Sequence, residues 1–337
     1  MKASIYLRDR QFTTEDRPVP FPQHGEALLH VQQVGICGSD LHVFQGHLDH
    51  RVPERNTIGH EVLAHVVEIP NGSSIRKGDR VVVNPIVNCG QCGACTMGAS
   101  YLCYKLKVLG VDAPGGMQEY WALNAGNLIP VPDSVTDDDA ALLEPLAVAT
   151  HDVARAEVKA GDRVVVFGGG PIGTLIALVC REKGAEVKIV EINPFRLGLL
   201  KRIGLETIGP ADDTVAIVRD WTGGTGADVA FEVSGDPSVV TTITKVVRVW
   251  GTVSIIAIHA EPVPIDLYPV FAREIKLHGS RLYTRAAWDE AIRLAAAKTL
   301  PLSSLITGRV GLDGIQKVME DALAGGPLMK VLVEVSA

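Results

Sequence analysis

With 337 residues, 47% of them hydrophobic and 5% aromatic, the chain is long enough to bury two cores and suits a globular α/β protein. A formal net charge of −7 and the lack of any polybasic run exclude a general nucleic-acid binder or an anionic-membrane binder, since either needs a basic surface. No apolar stretch approaches the length that crosses a bilayer; the longest, such as Val253 to Ile258, are strand-sized.

Met1 to Asp16 is mixed polar, without the charged start and apolar core of a signal peptide, so a cytoplasmic protein is expected. Residues 1 to about 85 read as a β-rich domain of short strands, Ala3–Leu7, Glu26–Val34, Glu61–Ile69 and Asp79–Asn84, broken by Pro and Gly turns. Just past the second strand, in a loop, Gly35-Ile36-Cys37-Gly38-Ser39-Asp40-Leu41-His42 packs a thiol, a hydroxyl, a carboxylate and an imidazole into six residues. Gly59-His60-Glu61 is its partner. These are the groups a metal-assisted proton transfer needs around one atom, with Cys37 and His60 as zinc-ligand types and a carboxylate or water to complete the site.

Cys89, Cys92, Cys95 and Cys103 follow at a spacing of C-x2-C-x2-C-x7-C in a Gly-rich loop. Four thiolates at those intervals close a tetrahedron around zinc with no position left for substrate, which marks a structural site. In a chain without a secretory signal, metal ligation is expected rather than disulfide pairing. Beyond Pro130-Val-Pro132, Ser134 to Asp139 carries the capping and acidic residues of a helix N-terminus. Glu144-Pro145-Leu146 comes next, where Pro145 is expected to turn the chain at a domain junction. Glu144 reads either as a solvated helix residue or as a group that meets a metal or its water.

The run Asp162–Phe167 enters Gly168-Gly169-Gly170-Pro171-Ile172-Gly173, followed by an apolar helix Pro171–Lys183 and a strand Glu186–Val190 that ends in Glu191. A G-x-G-x-x-G in that βαβ context is a dinucleotide fingerprint, with the pyrophosphate on the helix N-terminus. Glu191 is suited to the adenosine ribose hydroxyls and would repel a 2′-phosphate, so NAD is expected over NADP. Strands at Asp228–Val233, Thr252–Ile258 and Lys276–Gly279 with a helix at Pro237–Arg248 extend a parallel doubly wound sheet. Cys180 falls in an apolar helix and is expected in the core, so the Cys37 site must take its other ligands from oxygen and nitrogen. The tail alternates helix, strand, helix, strand (Ala286–Lys298, Leu305–Val310, Asp313–Ala324, Lys330–Val335) and is expected to return to the first domain, with a substrate cleft between two lobes.

Together, Cys37-Gly-Ser39-Asp40-x-His42, Gly59-His60-Glu61, the four-cysteine loop, Glu144-Pro145 and the glycine turn resemble the zinc-dependent medium-chain alcohol and polyol dehydrogenases over the whole chain. Glu61 and Glu144-Pro145-Leu146, in place of a second catalytic cysteine, place the resemblance in the sorbitol and sugar-alcohol branch. The resemblance implies a GroES-like catalytic domain (1–146 and 284–337), a Rossmann NAD-binding domain (147–283), two zinc ions per chain and a homo-oligomer, dimer or tetramer. It implies that Cys37, His60, Glu61 and Glu144 or water surround the catalytic zinc, that Asp40 supports His60 and that Ser39 hands the substrate proton through the nicotinamide ribose to His42. It further implies that Lys330 lies near the cofactor pyrophosphate and Arg196 near the adenosine ribose, with Arg281 and Tyr283 beside the substrate. The expected activity is oxidation of a secondary hydroxyl of a sugar alcohol, sugar acid or related diol. An amino alcohol such as threonine, or a non-catalytic dinucleotide-binding protein, are the rival readings. Val43 stands where sorbitol dehydrogenases often carry an aromatic residue, which argues against sorbitol itself.

Overall fold

The computed structural model describes residues 1–259 and 261–336. Two compact units are formed, one from Met1–Glu144, Ile292–Lys298 and Leu302–Ala337, the other from Pro145–Ala291 and Thr299–Pro301. Both chain ends thus enter the first unit, whose second stretch begins at Ile292 and not at the expected residue 284.

A seven-stranded sheet organises the first unit. Its order is Ile306–Val310, Lys330–Glu334, Glu26–Gly35, Glu61–Glu68, Arg80–Val83 and Leu128–Pro130, and Tyr120–Asn124 also pairs with Glu26–Gly35. β-Branched and aliphatic residues fill its core, among them Leu29, Val31, Val34, Val62, Val81, Val331 and Val333, which suits a pleated surface packed on one side. Register decides what happens at the end of the central strand: Gly35 lies opposite Glu61 on one side and Leu332 on the other. Residues far apart in the chain therefore meet around Gly35. Sequence reading located five of these strands to within a residue or two, and gave no bounds for Tyr120–Asn124 or Leu128–Pro130. It missed Phe12–Asp16, which forms a hairpin with Lys2–Tyr6. The turn between them places Arg8, Asp9 and Arg10 at positive φ without a glycine to announce it.

The second unit is built on six parallel strands in the order Glu206–Ile208, Glu186–Val190, Arg163–Phe167, Ala227–Glu232, Val247–Ile255 and Lys276–Gly279. The order reverses direction beside Arg163–Phe167, the switch point at which such sheets bind ligands. Cys180 is fully buried in the helix Pro171–Glu182, as its apolar surroundings implied. Pro145 does not turn the chain. It sits in the first turn of the helix Leu143–Arg155, where its missing N–H breaks no intrahelical bond.

Within this unit the fully buried Asp152 accepts a 2.5 Å hydrogen bond from Ser280 Oγ through one oxygen, while its other oxygen has no partner among the described residues. Burial pushes its pKa up to about 7, with Ser280 opposing. The folded state therefore binds a proton that the unfolded chain releases near pH 4, so stability falls as pH rises between about 4 and 7, by on the order of 4 kcal/mol. We expect Asp152→Asn to flatten this slope. Denaturant unfolding at pH 5 and pH 8 checks it: wild type and variant losing the same stability over that interval would contradict the assignment.

Candidate metal centres and dinucleotide turn

The four-cysteine loop draws its sulfurs together. Cys92 Sγ lies 3.5 Å from Cys95 Sγ and 3.7 Å from Cys103 Sγ, and Cys103 Sγ lies 3.5 Å from Cys89 Sγ. Zinc–sulfur bonds of about 2.3 Å at tetrahedral angles separate sulfurs by about 3.8 Å, whereas a disulfide would bring two of them to about 2.05 Å. The spacing fits zinc. Backbone N–H groups of Cys89 and Lys105 donate to Cys103 Sγ at 3.3 Å. Backbone hydrogen bonds from Cys95 and Tyr104 pull the Cys92 thiol down to about 6, while desolvation pushes Cys95 up to about 11. A metal ion would take all four as thiolates.

A second donor set forms from Cys37, His60 and Glu61, whose ligand atoms all lie within 4.8 Å of one another. Cys37 caps the N-terminus of the short helix Gly38–Phe44, and its backbone N–H donates to Asp40 Oδ2 at 2.9 Å. That cap aims the other Asp40 oxygen at His60 Nδ1, 3.6 Å away, and neither of these two buried atoms has a hydrogen-bond partner among the described residues. His60 Nε2 faces the opposite way, 3.3 Å from Ser39 Oγ. Metal-ligating histidines commonly lean their second nitrogen on a carboxylate in this manner. Burial disfavours a charged His60, yet Asp40 and then Cys37 outweigh it and hold the imidazole well above its ordinary pKa. A thiol, an imidazole and a carboxylate gathered in this way suit a bound cation.

Glu61 is completely buried, and Lys330 Nζ donates to both its oxygens at 2.7 and 2.9 Å and to the Ile36 carbonyl at 3.0 Å. Those contacts tie Lys330 to a carboxylate and a backbone carbonyl inside the first unit. A Cβ on Gly35 would stand 2.0 Å from Glu61 Oε2, so glycine is obligatory under the carboxylate. Glu144 is buried but is not among the three residues whose ligand atoms converge; its charge acts on Lys330, which it helps hold above the ordinary lysine pKa after Glu61 and Cys37 overcome burial. His42 lies one helical turn beyond Ser39, with Nδ1 3.2 Å from His47 Nδ1.

In the second unit, Gly168 adopts φ +105° and Gly170 caps the helix that starts at Pro171, with Ile172 and Gly173 in its first turn. A Cβ at Gly173 would fall 1.8 Å from the Gly168 carbonyl, so the turn closes only around glycine. Glu191 is buried and accepts from Gly169 N at 2.9 Å and from Ile192 N and Asn193 N at 2.7 Å, with Arg196 Nη1 at 3.9 Å from its Oε2. It therefore braces the turn.

Comparison with known proteins agrees with this geometry. Residues 23–133 match the alcohol dehydrogenase GroES-like domain and residues 171–297 the zinc-binding dehydrogenase family. A 2-dehydro-3-deoxy-L-galactonate 5-dehydrogenase of Pseudoalteromonas atlantica is 39% identical, covering 100% of this chain and 99% of its own. The chain belongs to the zinc-binding alcohol dehydrogenase family. A sorbitol dehydrogenase of Bacillus subtilis is 31% identical over 96% of this chain and 94% of its own, and an L-threonine 3-dehydrogenase of Pectobacterium carotovorum is 31% identical over 99% and 98%. Among solved structures, a 2R,3R-butanediol dehydrogenase from B. subtilis superposes with a TM-score of 0.90 at 30% identity, and an Escherichia coli alcohol dehydrogenase complexed with NADH with 0.91 at 26%, each covering 99% of both chains. Like its relatives, this zinc-binding dehydrogenase is an oxidoreductase acting on a CH–OH group and using a nicotinamide cofactor.

Two features of the dehydrogenase escaped sequence reasoning. Glu232, fully buried at the end of its strand, accepts from Ser234 N, Ser234 Oγ and Gly235 N at 2.6–2.9 Å and meets His259 Nε2 at 3.1 Å; it fixes Ser234, whose backbone packs 3.0 Å from the place a Gly168 Cβ would take. The E-x-S-G string after a strand was the available signal. His47 is the second, and no motif marked it. Tyr283, assigned to the substrate by resemblance, is buried edge-on against Trp288 with ring centroids 5.2 Å apart.

The two donor sets predict two zinc ions with separable roles. Cys92→Ser should release one ion and lower thermal stability, because the loop has little apolar surface to fold without metal; Cys37→Ser should release the other and abolish turnover with the fold intact. Metal analysis of fully loaded wild type that finds one zinc per chain would contradict this.

Proposed function

We propose that the chain oxidises a secondary hydroxyl of a sugar alcohol or sugar acid to a ketone with NAD, using the first unit as catalytic zinc domain and the second as NAD-binding Rossmann domain. The observation that carries the substrate class is the second donor set: one thiol, one imidazole and a carboxylate held in place by Lys330, with the buried Glu144 acting on the same lysine. That set is more polar than two thiols and an imidazole. Bound zinc supplies a Lewis acid that lowers the alcohol pKa so that hydride can pass to NAD. Cys37 and His60 hold the ion, Asp40 orients His60, and Glu61 or water completes the shell. Ser39, 3.3 Å from His60 Nε2, receives the substrate hydroxyl proton and His42 takes it onward.

Glu144 is the carboxylate we assign to a neighbouring substrate hydroxyl or to the metal-bound water. A vicinal diol can offer its second hydroxyl to a carboxylate of this set, whereas ethanol has none to offer, a difference of about 1–3 kcal/mol. The names of the similar dehydrogenases, a deoxygalactonate and a sorbitol enzyme, support the same class. Glu191 supports NAD over NADP by repelling a 2′-phosphate, and since it also ties Gly169, its loss should weaken both cofactors while raising relative NADP use. Four thiols kept for metal suit a reducing cytoplasm. No described helix is long and apolar enough to cross a membrane. A homo-oligomer is supported by the edge strand Lys276–Gly279 and by Trp250, Tyr268 and Phe271, each more than two-thirds exposed in the same unit.

A screen of polyols, aldonic and deoxy sugar acids, threonine and simple alcohols, followed by NAD reduction, tests the reading. A polyhydroxylated secondary alcohol should win by kcat/KM, and Glu144→Ala should erode that advantage more than activity on a simple secondary alcohol. Ethanol oxidised as efficiently as the best polyol, or threonine preferred over all of them, would overturn it.

A further inference from the structure

The backbone around the helix Gly38–Phe44 brings two histidines into one hydrogen-bonded pair. After Gln45, Gly46 adopts φ +81° and reverses the chain, so that His47 N donates to the His42 carbonyl at 3.0 Å. The rings follow the backbone: Nδ1 of His42 lies 3.2 Å from Nδ1 of His47, with centroids 5.5 Å apart and planes inclined by 44°. Two ring nitrogens at that distance hold one proton between them, because two would repel and none would leave facing lone pairs. His42 is half-buried and His47 exposed. The pair therefore reaches from the interior to solvent.

We propose that His47 is the exit of the proton path, carrying to solvent the proton that His42 receives. This rests on the reading of His42 as the acceptor of the substrate proton. In the starting state His42 Nδ1–H donates to the lone pair on His47 Nδ1, which leaves His42 Nε2 open to accept. When a proton binds His42 Nε2, the Nδ1–H bond of His42 breaks and an Nδ1–H bond forms on His47. His47, now an imidazolium, loses its Nε2 proton to a buffer base, and both rings regain their first tautomer by exchange with solvent. One proton enters and one leaves.

The surroundings keep the pair free for this work. In the following turn, Asp49 accepts from Tyr6 Oη, and Arg51 is paired with Asp112 at 2.7 Å. From the hairpin, Arg8 donates to the carbonyls of Asp49 and Val52; from the helix Ile315–Leu323, Lys317 pairs with Asp321, and Gln316 donates to Glu320. His50 is exposed in the same turn. Burial, and after it the charge of His47, hold His42 below its ordinary pKa, so the pair passes its proton outward rather than keeping it. His47 is a positioning and relay residue and touches no reacting atom.

His47→Gln keeps a hydrogen-bonding side chain but cannot pass a proton. At low buffer concentration near pH 6.5, kcat of the variant should fall about tenfold, somewhat less than the loss of a group acting directly on the substrate, and should climb back as MES or MOPS is added, while wild type stays flat. Histidine-selective ¹⁵N NMR titration of the purified protein, without substrate, should show the His42 pKa of the variant moving up toward its ordinary value. A variant with wild-type rate at low buffer, or with a lost rate that buffer does not restore, overturns the relay. A wild type inactive on every substrate tested would overturn the reading of the reaction instead; in that case an unchanged His42 titration in the variant still overturns the pairing.

Discussion

The structure depends on one buried charge pair, Lys330 on Glu61. Both are at most 1% exposed, and the lysine fixes both carboxylate oxygens together with the Ile36 carbonyl. Taking either charge alone out of water costs several kcal/mol, and breaking such a pair from one side typically costs about 3–5 kcal/mol. The pair is possible only because sheet register sets Gly35 between the last strand and the strand of Glu61, and because Gly35 has no Cβ. Chain end, central strand and metal ligand are thus one construction. A shift of one residue in the final strand would send Lys330 to the other face and strand Glu61 without a counter-ion.

Charge balance then explains the donor set. Lys330 answers Glu61, while the Cys37 sulfur, the His60 imidazole and Asp40 behind it form a donor set suited to a cation; Asp40 and Cys37 also hold His60 above its ordinary pKa against burial. The four-cysteine loop differs in kind. It offers only sulfur, at separations that suit a closed tetrahedron, and its metal holds the loop rather than a substrate. One scaffold therefore keeps a closed soft site for folding and an open mixed site for chemistry.

Much of this was legible in the sequence because its chemistry is local. Four cysteines within fifteen residues, Cys37 to His42 within six, and three glycines after a β-branched run each carry their meaning without knowledge of the fold. Contacts between distant residues were not legible. Lys330 and Glu61 lie 269 residues apart and meet only through strand register, so resemblance gave Lys330 a cofactor role while the structure binds it to a carboxylate. Glu191 was read as a ribose acceptor, and its hydrogen bond to Gly169 depended on how the turn closes. The hairpin at Phe12–Asp16 was missed because its turn uses arginine and aspartate at positive φ, where pattern reading looks for glycine. His47 was missed because a left-handed Gly46, not a helical spacing, sets it against His42.

The central claim is that the second zinc site takes its only sulfur from Cys37 and completes its shell with nitrogen and oxygen. Zinc X-ray absorption on the two-zinc protein measures this directly. With four sulfurs on the loop ion and one on the other, the averaged first shell should hold five sulfur ligands for every two ions, and Cys37→Ser protein that keeps one zinc should show an all-sulfur shell. Six or more sulfurs per two ions in wild type, or a Cys37→Ser protein whose remaining zinc carries nitrogen and oxygen ligands, would contradict the account.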